Sequence, residues 1–213
     1  MRLLVVSDLH QNIDMIDKLN KAIESEVPDH LLFLGDITDL GTSDDAIDIL
    51  KGIKSKSIFA IPGNCDPLDL PERMSDVVNS VHGRSLSLGG CNMACLGGSN
   101  ITIFNTPFEL NEETIYNALK PISKKGMILM VHVPAFGILD HIPNGMSVGS
   151  HSVKRIVDEF SPMLVLSGHI HEDFGIETIN GTTFVNPGPL KDGRYAVVDI
   201  DGNKVETSLN VLD

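Results

Sequence analysis

The sequence predicts an α/β fold with a mixed two-sheet core and outer helices, on three observations. Five short apolar runs (Leu3 to Val6, Leu31 to Leu34, Ile58 to Ile61, Met127 to Val131, Met163 to Leu166) have the length and unbroken hydrophobicity of strands buried on both faces. Apolar residues at helical spacing separate the first three of them, the grammar of a largely parallel sheet with right-handed crossovers. Beyond Gly175 the period changes to two, the signature of short antiparallel strands.

Taken in order, Ile13, Ile16, Leu19 and Ile23 mark one face of a helix that ends before Pro28. Thr42 or Ser43 can cap a second helix, with Asp44 and Asp45 in its first turn and Ile47, Leu50 and Ile53 toward the core. A weak helix is expected over Pro71 to Val81, and a hairpin over Ser85 to Leu96 turning at Gly89-Gly90. Glu112 to Leu119 reads as a short helix closed by Pro121. Pro134 to Gly149 is too long for a mere connector and is a candidate lid or binding loop. Ser150 or Ser152 can cap a helix carrying Val153, Ile156, Val157 and Phe160. The final strands are Gly175 to Ile179, Thr182 to Val185, Tyr195 to Asp199 and Val205 to Val211, with turns at Asn180-Gly181, Pro187-Gly188-Pro189 and Asp201-Gly202. No repeat or linker divides the chain, so residues 1–213 are expected to form one domain.

Composition narrows the function. With 42% hydrophobic and 21% charged residues the chain is ordinary for a globular protein. No apolar stretch approaches the roughly 18 to 20 residues of a membrane span, and the first apolar run is too short for a secretory leader. Three cysteines, Cys65, Cys91 and Cys95, make no even framework and no CxxC pair, which points to a reducing compartment; the expected location is the cytoplasm. A formal net charge of -13 argues against non-specific nucleic-acid binding, which relies on Lys and Arg neutralising phosphates. It leaves phosphate esters open as substrates, because bound cations reverse the local field.

The chemistry lies where the apolar runs end. Asp8 and His10 follow the first, Asp36 the second, Asn64 the third, His132 the fourth, and His169 and His171 the fifth. In open α/β sheets ligands bind beyond the carboxyl ends of the strands. Each residue alone has a structural alternative: a helix cap for Asp8, a turn for Asp36 or Asn64, a satisfied core histidine for His132, a hydrogen-bonded turn pair for His169 and His171. Together they make seven N and O donors, too many for one tetrahedral zinc and suited to two adjacent divalent ions. Such a pair can hold a bridging hydroxide and clamp a phosphate undergoing in-line attack. Asp36 is the natural bridging carboxylate, because it lies between contributions from both sides in chain order.

The ordered set Asp8-x-His10, Gly35-Asp36, Gly63-Asn64-Cys65-Asp66, His132 and Gly168-His169-Ile170-His171 resembles the signature of the calcineurin-like metallophosphoesterases, and Asn186-Pro187-Gly188 resembles that family's closing turn. The resemblance implies a four-layer αββα fold, a two-sheet sandwich flanked by helices. It implies one ion on Asp8, His10, Asp36 and His171 and a second on Asp36, Asn64, His132 and His169, with Asn64 also a catalytic residue. Mn, Fe, Zn, Ni and Co all suit these donors. Asp39 is similar to a position that orients a ligand.

Two departures from the family pattern shape the expected reaction. Cys65 stands where many members have the histidine thought to protonate the leaving group, and a thiol is a weak donor. This favours diesters with good leaving groups and resembles a small phosphodiesterase branch with Gly-Asn-Cys-Asp. Gln11 replaces a common glycine and can narrow the approach to the metals or contact substrate. His141 and His151 flank the long loop and are candidates for contacting phosphate or protonating a leaving group; exposed loop histidines are the alternative. Asp66 joins the same candidate group. The expected activity is a metal-dependent phosphodiesterase acting on a small or nucleotide-like phosphate ester, with no membrane partner. The competing readings are a non-catalytic protein-binding scaffold of the same fold and a protein phosphatase. Oligomeric state is left open.

Overall fold

The computed structural model describes residues 1–213. Its strands are β1 (Arg2–Val6), β2 (His30–Phe33), β3 (Ile58–Ala60), β4 (Asn79–Ser80), β5 (Arg84–Leu88), β6 (Cys91–Leu96), β7 (Ser99–Asn100), β8 (Glu109–Leu110), β9 (Ile128–Val131), β10 (Leu164–Leu166), β11 (Gly175–Ile179), β12 (Thr182–Asn186), β13 (Arg194–Asp201) and β14 (Lys204–Val211). The helices are α1 (Asp14–Glu26), α2 (Ser43–Lys51), α3 (Leu70–Arg73), α4 (Glu112–Leu119) and α5 (His151–Phe160). One six-stranded sheet has the order β14-β13-β1-β2-β3-β4, and a second has the order β11-β12-β10-β9-β6-β5. Strands β1, β2, β3 and β4 run parallel in the first sheet and β12, β10, β9 and β6 in the second, whereas β13 is antiparallel to both β1 and β14 and the hairpins β11–β12 and β5–β6 are antiparallel.

Three apolar layers explain why the runs are hydrophobic throughout. Leu4, Val6, Leu31 and Phe33 face Leu19, Ile23, Ile49 and Leu50 of α1 and α2. The alternate residues Leu3, Val5, Leu32 and Leu34 face Ile128, Met130, Leu164 and Leu166 of the other sheet. On the far side, Leu129, Val131 and Val165 pack on Ile115, Leu119, Val153 and Ile156 of α4 and α5. A strand sandwiched between two apolar layers needs apolar residues at every position rather than every second one. The result is the four-layer αββα arrangement expected.

Caps follow the sequence closely. Thr42 caps α2 in a reciprocal capping box with Asp45, Ser150 caps α5, and Asn111 caps α4. The helix expected over residues 71–81 is a correction. Pro71 lies in the first turn of the four-residue α3, a 3-10 turn follows at Met74–Asp76, and the chain then extends as β4 alongside β3. The β-branched Val77 and Val78 disfavour continuation. Burial of Val78 beneath the first sheet and a bond from Asn79 Nδ2 to the Ile58 carbonyl at 2.9 Å stabilise the strand instead. A second refinement concerns the runs themselves: β1, β2 and β3 belong to one sheet, and β9 and β10 to the other. The chemistry-bearing residues therefore meet across the sandwich rather than along one sheet edge.

His82 makes the fold acid-sensitive. Its Nδ1 accepts the Gly97 amide at 3.0 Å, which requires an unprotonated nitrogen, and burial pulls its pKa down from 6.5 to about 4. Between those values the unfolded chain binds more protons, so this site's contribution to stability is lost as pH falls from 6.5 toward 4. His82→Gln keeps an acceptor and removes the titration. Urea unfolding should then show the variant losing about 2 kcal/mol less than the parent between pH 7 and 4.5; parallel pH profiles would refute the assignment.

Candidate metal centre

The loops after β1, β2, β3, β9 and β10 converge at one end of the sandwich, and backbone bonds splice them together. Asp8 N donates to the Gly35 carbonyl at 2.9 Å, His10 N to Asp36 O at 3.0 Å, and Gly168 N to His132 O at 2.9 Å. Asp8, His10, Asp36 and His169 all hold left-handed backbones, with φ of 57°, 46°, 51° and 68°. For non-glycine residues this conformation is uncommon and concentrates where surrounding structure over-determines it. Here it turns four side chains out of strand geometry toward one point.

Glycines make the convergence possible. A Cβ on Gly63 would lie 2.0 Å from Asp36 Oδ1, and one on Gly35, whose φ is +109°, would lie 2.4 Å from Gly63 N. Asp66 braces the same region: fully buried, its carboxylate accepts from Gly63 N at 2.8 Å, Thr38 N at 2.8 Å, Thr38 Oγ1 at 2.9 Å and Ile37 N at 3.2 Å. It sits beyond reach of a substrate and acts by joining the loops after β2 and β3. Burial and the Asp36 charge push its pKa up to about 6, against the pull of those donors.

All seven predicted residues come together, in two adjacent groups. Asp8, His10 and His171 form one, with Asp8 Oδ1 3.4 Å from His171 Nε2 and the two imidazole Nε2 atoms 3.2 Å apart. Asp36, His132 and His169 form the other. Asp36 Oδ2 links them, 3.6 Å from His10 Nε2 and 3.5 Å from His132 Nε2. His132 Nδ1 donates to the Leu34 carbonyl at 2.9 Å, which turns Nε2 inward, 2.9 Å from Asn64 Oδ1.

One acceptor in this arrangement has no donor. Asp8 Oδ1 is buried without a hydrogen-bond partner, and no Lys or Arg forms an ion pair with Asp8 or Asp36. Two carboxylates and an amide oxygen gathered with four imidazoles form a donor set that suits a cation. Burial would raise the Asp8 carboxyl, but the close approach of His171 and the His132 charge outweigh it and hold Asp8 well below the usual range. Asp36 is likewise lowered against its burial, chiefly by His132. Burial disfavours a charged His132, yet Asp36 and Asp8 raise it to about 9. Burial, reinforced by His132, lowers His169 to about 4. The site as built could hold a metal ion.

The remaining candidates divide. Asp39 Oδ1 stands 3.6 Å from His10 Nδ1, and Gln11 Oε1 accepts the Asp39 amide at 3.2 Å, so both brace the outer face of His10. The Cys65 thiol falls within the group of His10 and Asp36; burial and then the Asp36 carboxylate raise its pKa well above the ordinary thiol range. His141 Nδ1 contacts Asp173 Oδ2 at 2.8 Å, and its neighbour Ile142 lines a cavity of about 830 Å³ that His169 and His171 also line. His151 is the first residue of α5; its ring stacks on Phe136 and its amide bonds Glu112, both outside the cluster. Sequence reasoning missed Thr106, whose Oγ1 receives Asn64 Nδ2 at 3.1 Å and fixes which way the amide points. It also missed residues 100–104, where Ile101, Ile103 and Phe104 alternate between two asparagines and line that cavity.

Comparison with known proteins now adds to this geometry. Residues 1–203 match the model of the calcineurin-like phosphoesterase superfamily domain, whose members normally bind divalent metals. Protein MJ1162 of Methanocaldococcus jannaschii is 31% identical over 215 residues, covering 96% of this chain and 94% of its own. The crystal structure of TT1561 of Thermus thermophilus superposes with a TM-score of 0.71 at 19% identity, covering 97% of both chains. A structure described as a novel archaeal phosphodiesterase gives 0.58 at 14% identity over 99% of this chain and 100% of that one. At those identities the two structures speak for the fold alone. No helix is long and apolar enough to cross a membrane.

Proposed function

The chain belongs to the calcineurin-like phosphoesterase superfamily, and on that premise we propose that it is a dinuclear metal-dependent phosphodiesterase acting on a small or nucleotide-like phosphate ester. The carrying observation is Asp36, whose Oδ2 faces His10 and His132 at nearly equal distance and so joins two groups of donors. Asp8, His10, Asp36 and His171 would hold one ion, and Asp36, Asn64, His132 and His169 the other. Divalent ions bound there would acidify water and neutralise charge developing on a phosphoryl group. The N and O donors suit Mn, Fe, Zn, Ni or Co.

The chain's own residues favour a diester. A monoester brings a second negative charge, and no Lys or Arg pairs with the cluster's carboxylates or lines the adjoining cavity, although the charge of Lys191 reaches His10. The Cys65 thiol is a weak proton donor, so the leaving group must depart with little help. Asn64, held by Thr106, would offer its amide oxygen to a bound metal, and His132, held by Leu34, would offer Nε2. Three free cysteines fit a reducing compartment, and we place the enzyme in the cytoplasm as a single domain.

Elemental analysis and turnover test this together. Protein loaded with Mn, Ni or Zn should bind two ions per chain and hydrolyse bis(p-nitrophenyl) phosphate faster than p-nitrophenyl phosphate, with loss of activity on chelation and recovery on readdition. Fewer than one ion per chain would favour a protein-binding scaffold; a monoester preference would overturn the diester assignment.

A further inference from the structure

We propose that the cavity beside the metal centre is a subsite for an alkyl arm of the substrate, an inference that rests on the phosphodiesterase reading and narrows it. The cavity, of about 830 Å³, is within the range of small-molecule sites. His169 and His171 form part of its wall, so an ester bound at the cluster would extend into it. The opposite walls carry Ile101, Ile103 and Phe104 on one loop and Ile142 and Met146 on the long loop after β9.

Those side chains are unusually exposed for their type: Ile101 67%, Ile103 89%, Phe104 76% and Met146 58%. Large apolar side chains gathered in the open around one cavity mark a binding surface rather than scattered surface residues. Their loops are also braced. Thr102 Oγ1 donates to Glu109 Oε1 at 2.5 Å, Thr106 N to the same oxygen at 3.0 Å, and Asn100 Nδ2 to the Val148 carbonyl at 3.2 Å, tying one wall to the other. The loops that carry the apolar groups are thus braced before a ligand arrives.

The chemistry of the lining selects the occupant. Glu172 is its only residue with a formal charge at neutral pH, so a second anionic group is unwelcome. Of the groups a nucleobase would need, one Asn100 amide hydrogen and the Thr102 hydroxyl are taken by Val148 and Glu109, the unpartnered Asn100 Oδ1 is buried away from the cavity surface, and Phe104 offers a single aromatic face. An aliphatic chain needs none of these. The substrate is therefore a phosphodiester with one alkyl alcohol, its chain lying between residues 101–104 and 142–146.

Calorimetry with methyl-, butyl- and octylphosphonate on the metal-loaded and metal-free protein tests the subsite without relying on turnover. Affinity should rise about twofold or more per methylene, so that octylphosphonate binds at least tenfold tighter than butylphosphonate. In Ile103→Ser/Phe104→Ser, and separately in Met146→Ser on the facing wall, that ratio should fall below about threefold; exposure of all three residues keeps the fold out of the result. Chain-length-independent binding by the parent would overturn the proposal. So would tighter binding of adenosine monophosphate than of octylphosphonate, or a dimer that dissociates in the Phe104 variant while the chain-length series stays flat. Chain-length-dependent binding without diester hydrolysis would sink the proposed reaction and leave the subsite standing; hydrolysis with a flat series would do the reverse.

Discussion

Asp36→Asn is expected to lower diesterase kcat/KM by about 10³-fold or more and to empty both metal positions. The substitution keeps the shape of the side chain, and its carbonyl oxygen can still accept the Cys65 amide, which now donates to Asp36 Oδ1 at 2.8 Å. What it removes is the charge at Oδ2, the one atom that faces both His10 and His132. Losing several kcal/mol of charge stabilisation at 1.36 kcal/mol per factor of ten gives the stated magnitude. The histidine variants separate the two positions. His171→Ala should deplete the ion shared with Asp8 and His10, and His169→Ala the ion shared with His132 and Asn64. Metal analysis and competition with a chromophoric chelator read occupancy directly. If Asp36→Asn kept two ions, or the two histidine variants emptied the same position, the shared-carboxylate arrangement would be wrong.

Much of this centre was legible in the chain because strand ends are legible. An unbroken apolar run has to be a doubly buried strand, and the polar residue that ends it is delivered to the sheet's rim whatever the side chains do next. Strand ends alone thus predict that Asp8, Asp36, Asn64, His132 and His169 gather at the rim. It did not show that β9 and β10 lie in the second sheet, since pairing partners far apart in sequence leave no local trace. Residues 71–81 went astray for a related reason: helical spacing over a weak segment lost to burial of Val78 and to pairing of Asn79 with Phe59. His151 was drawn in by its place beside the long loop, whereas the cap at Ser150 and the stack on Phe136 direct it elsewhere. Thr106 and the 101–104 cavity wall carry no motif at all. Their roles arise from a loop that only the folded chain brings against Asn64 and His169.

Gly168→Ala should destabilise the protein by about 2 to 4 kcal/mol, a Tm loss of roughly 5 to 12 °C for a chain of this size, and should distort the metal centre as well. The cause is contact rather than torsion, since Gly168 does not occupy the left-handed region. An added Cβ would lie 2.0 Å from Ser7 Oγ, 2.7 Å from Ser7 Cβ and 2.6 Å from Asp8 Oδ2. Neither side has room to yield. Gly168 N is bonded to His132 O at 2.9 Å and Ser167 N to Val185 O at 3.0 Å, while Leu190 N holds Ser7 O at 2.7 Å. The hydroxyl of Ser7 is buried and makes no hydrogen bond, so it alone can be sacrificed cheaply. Ser7→Gly added to Gly168→Ala should therefore recover part of the stability, in a double-mutant cycle with a coupling of about 1 kcal/mol or more. It should not recover metal binding, because the contact with Asp8 Oδ2 remains and that oxygen also receives the His169 amide at 3.1 Å. Unchanged Tm in the single variant, or full metal occupancy in the double, would show that the loops after β1 and β10 are not locked together as described.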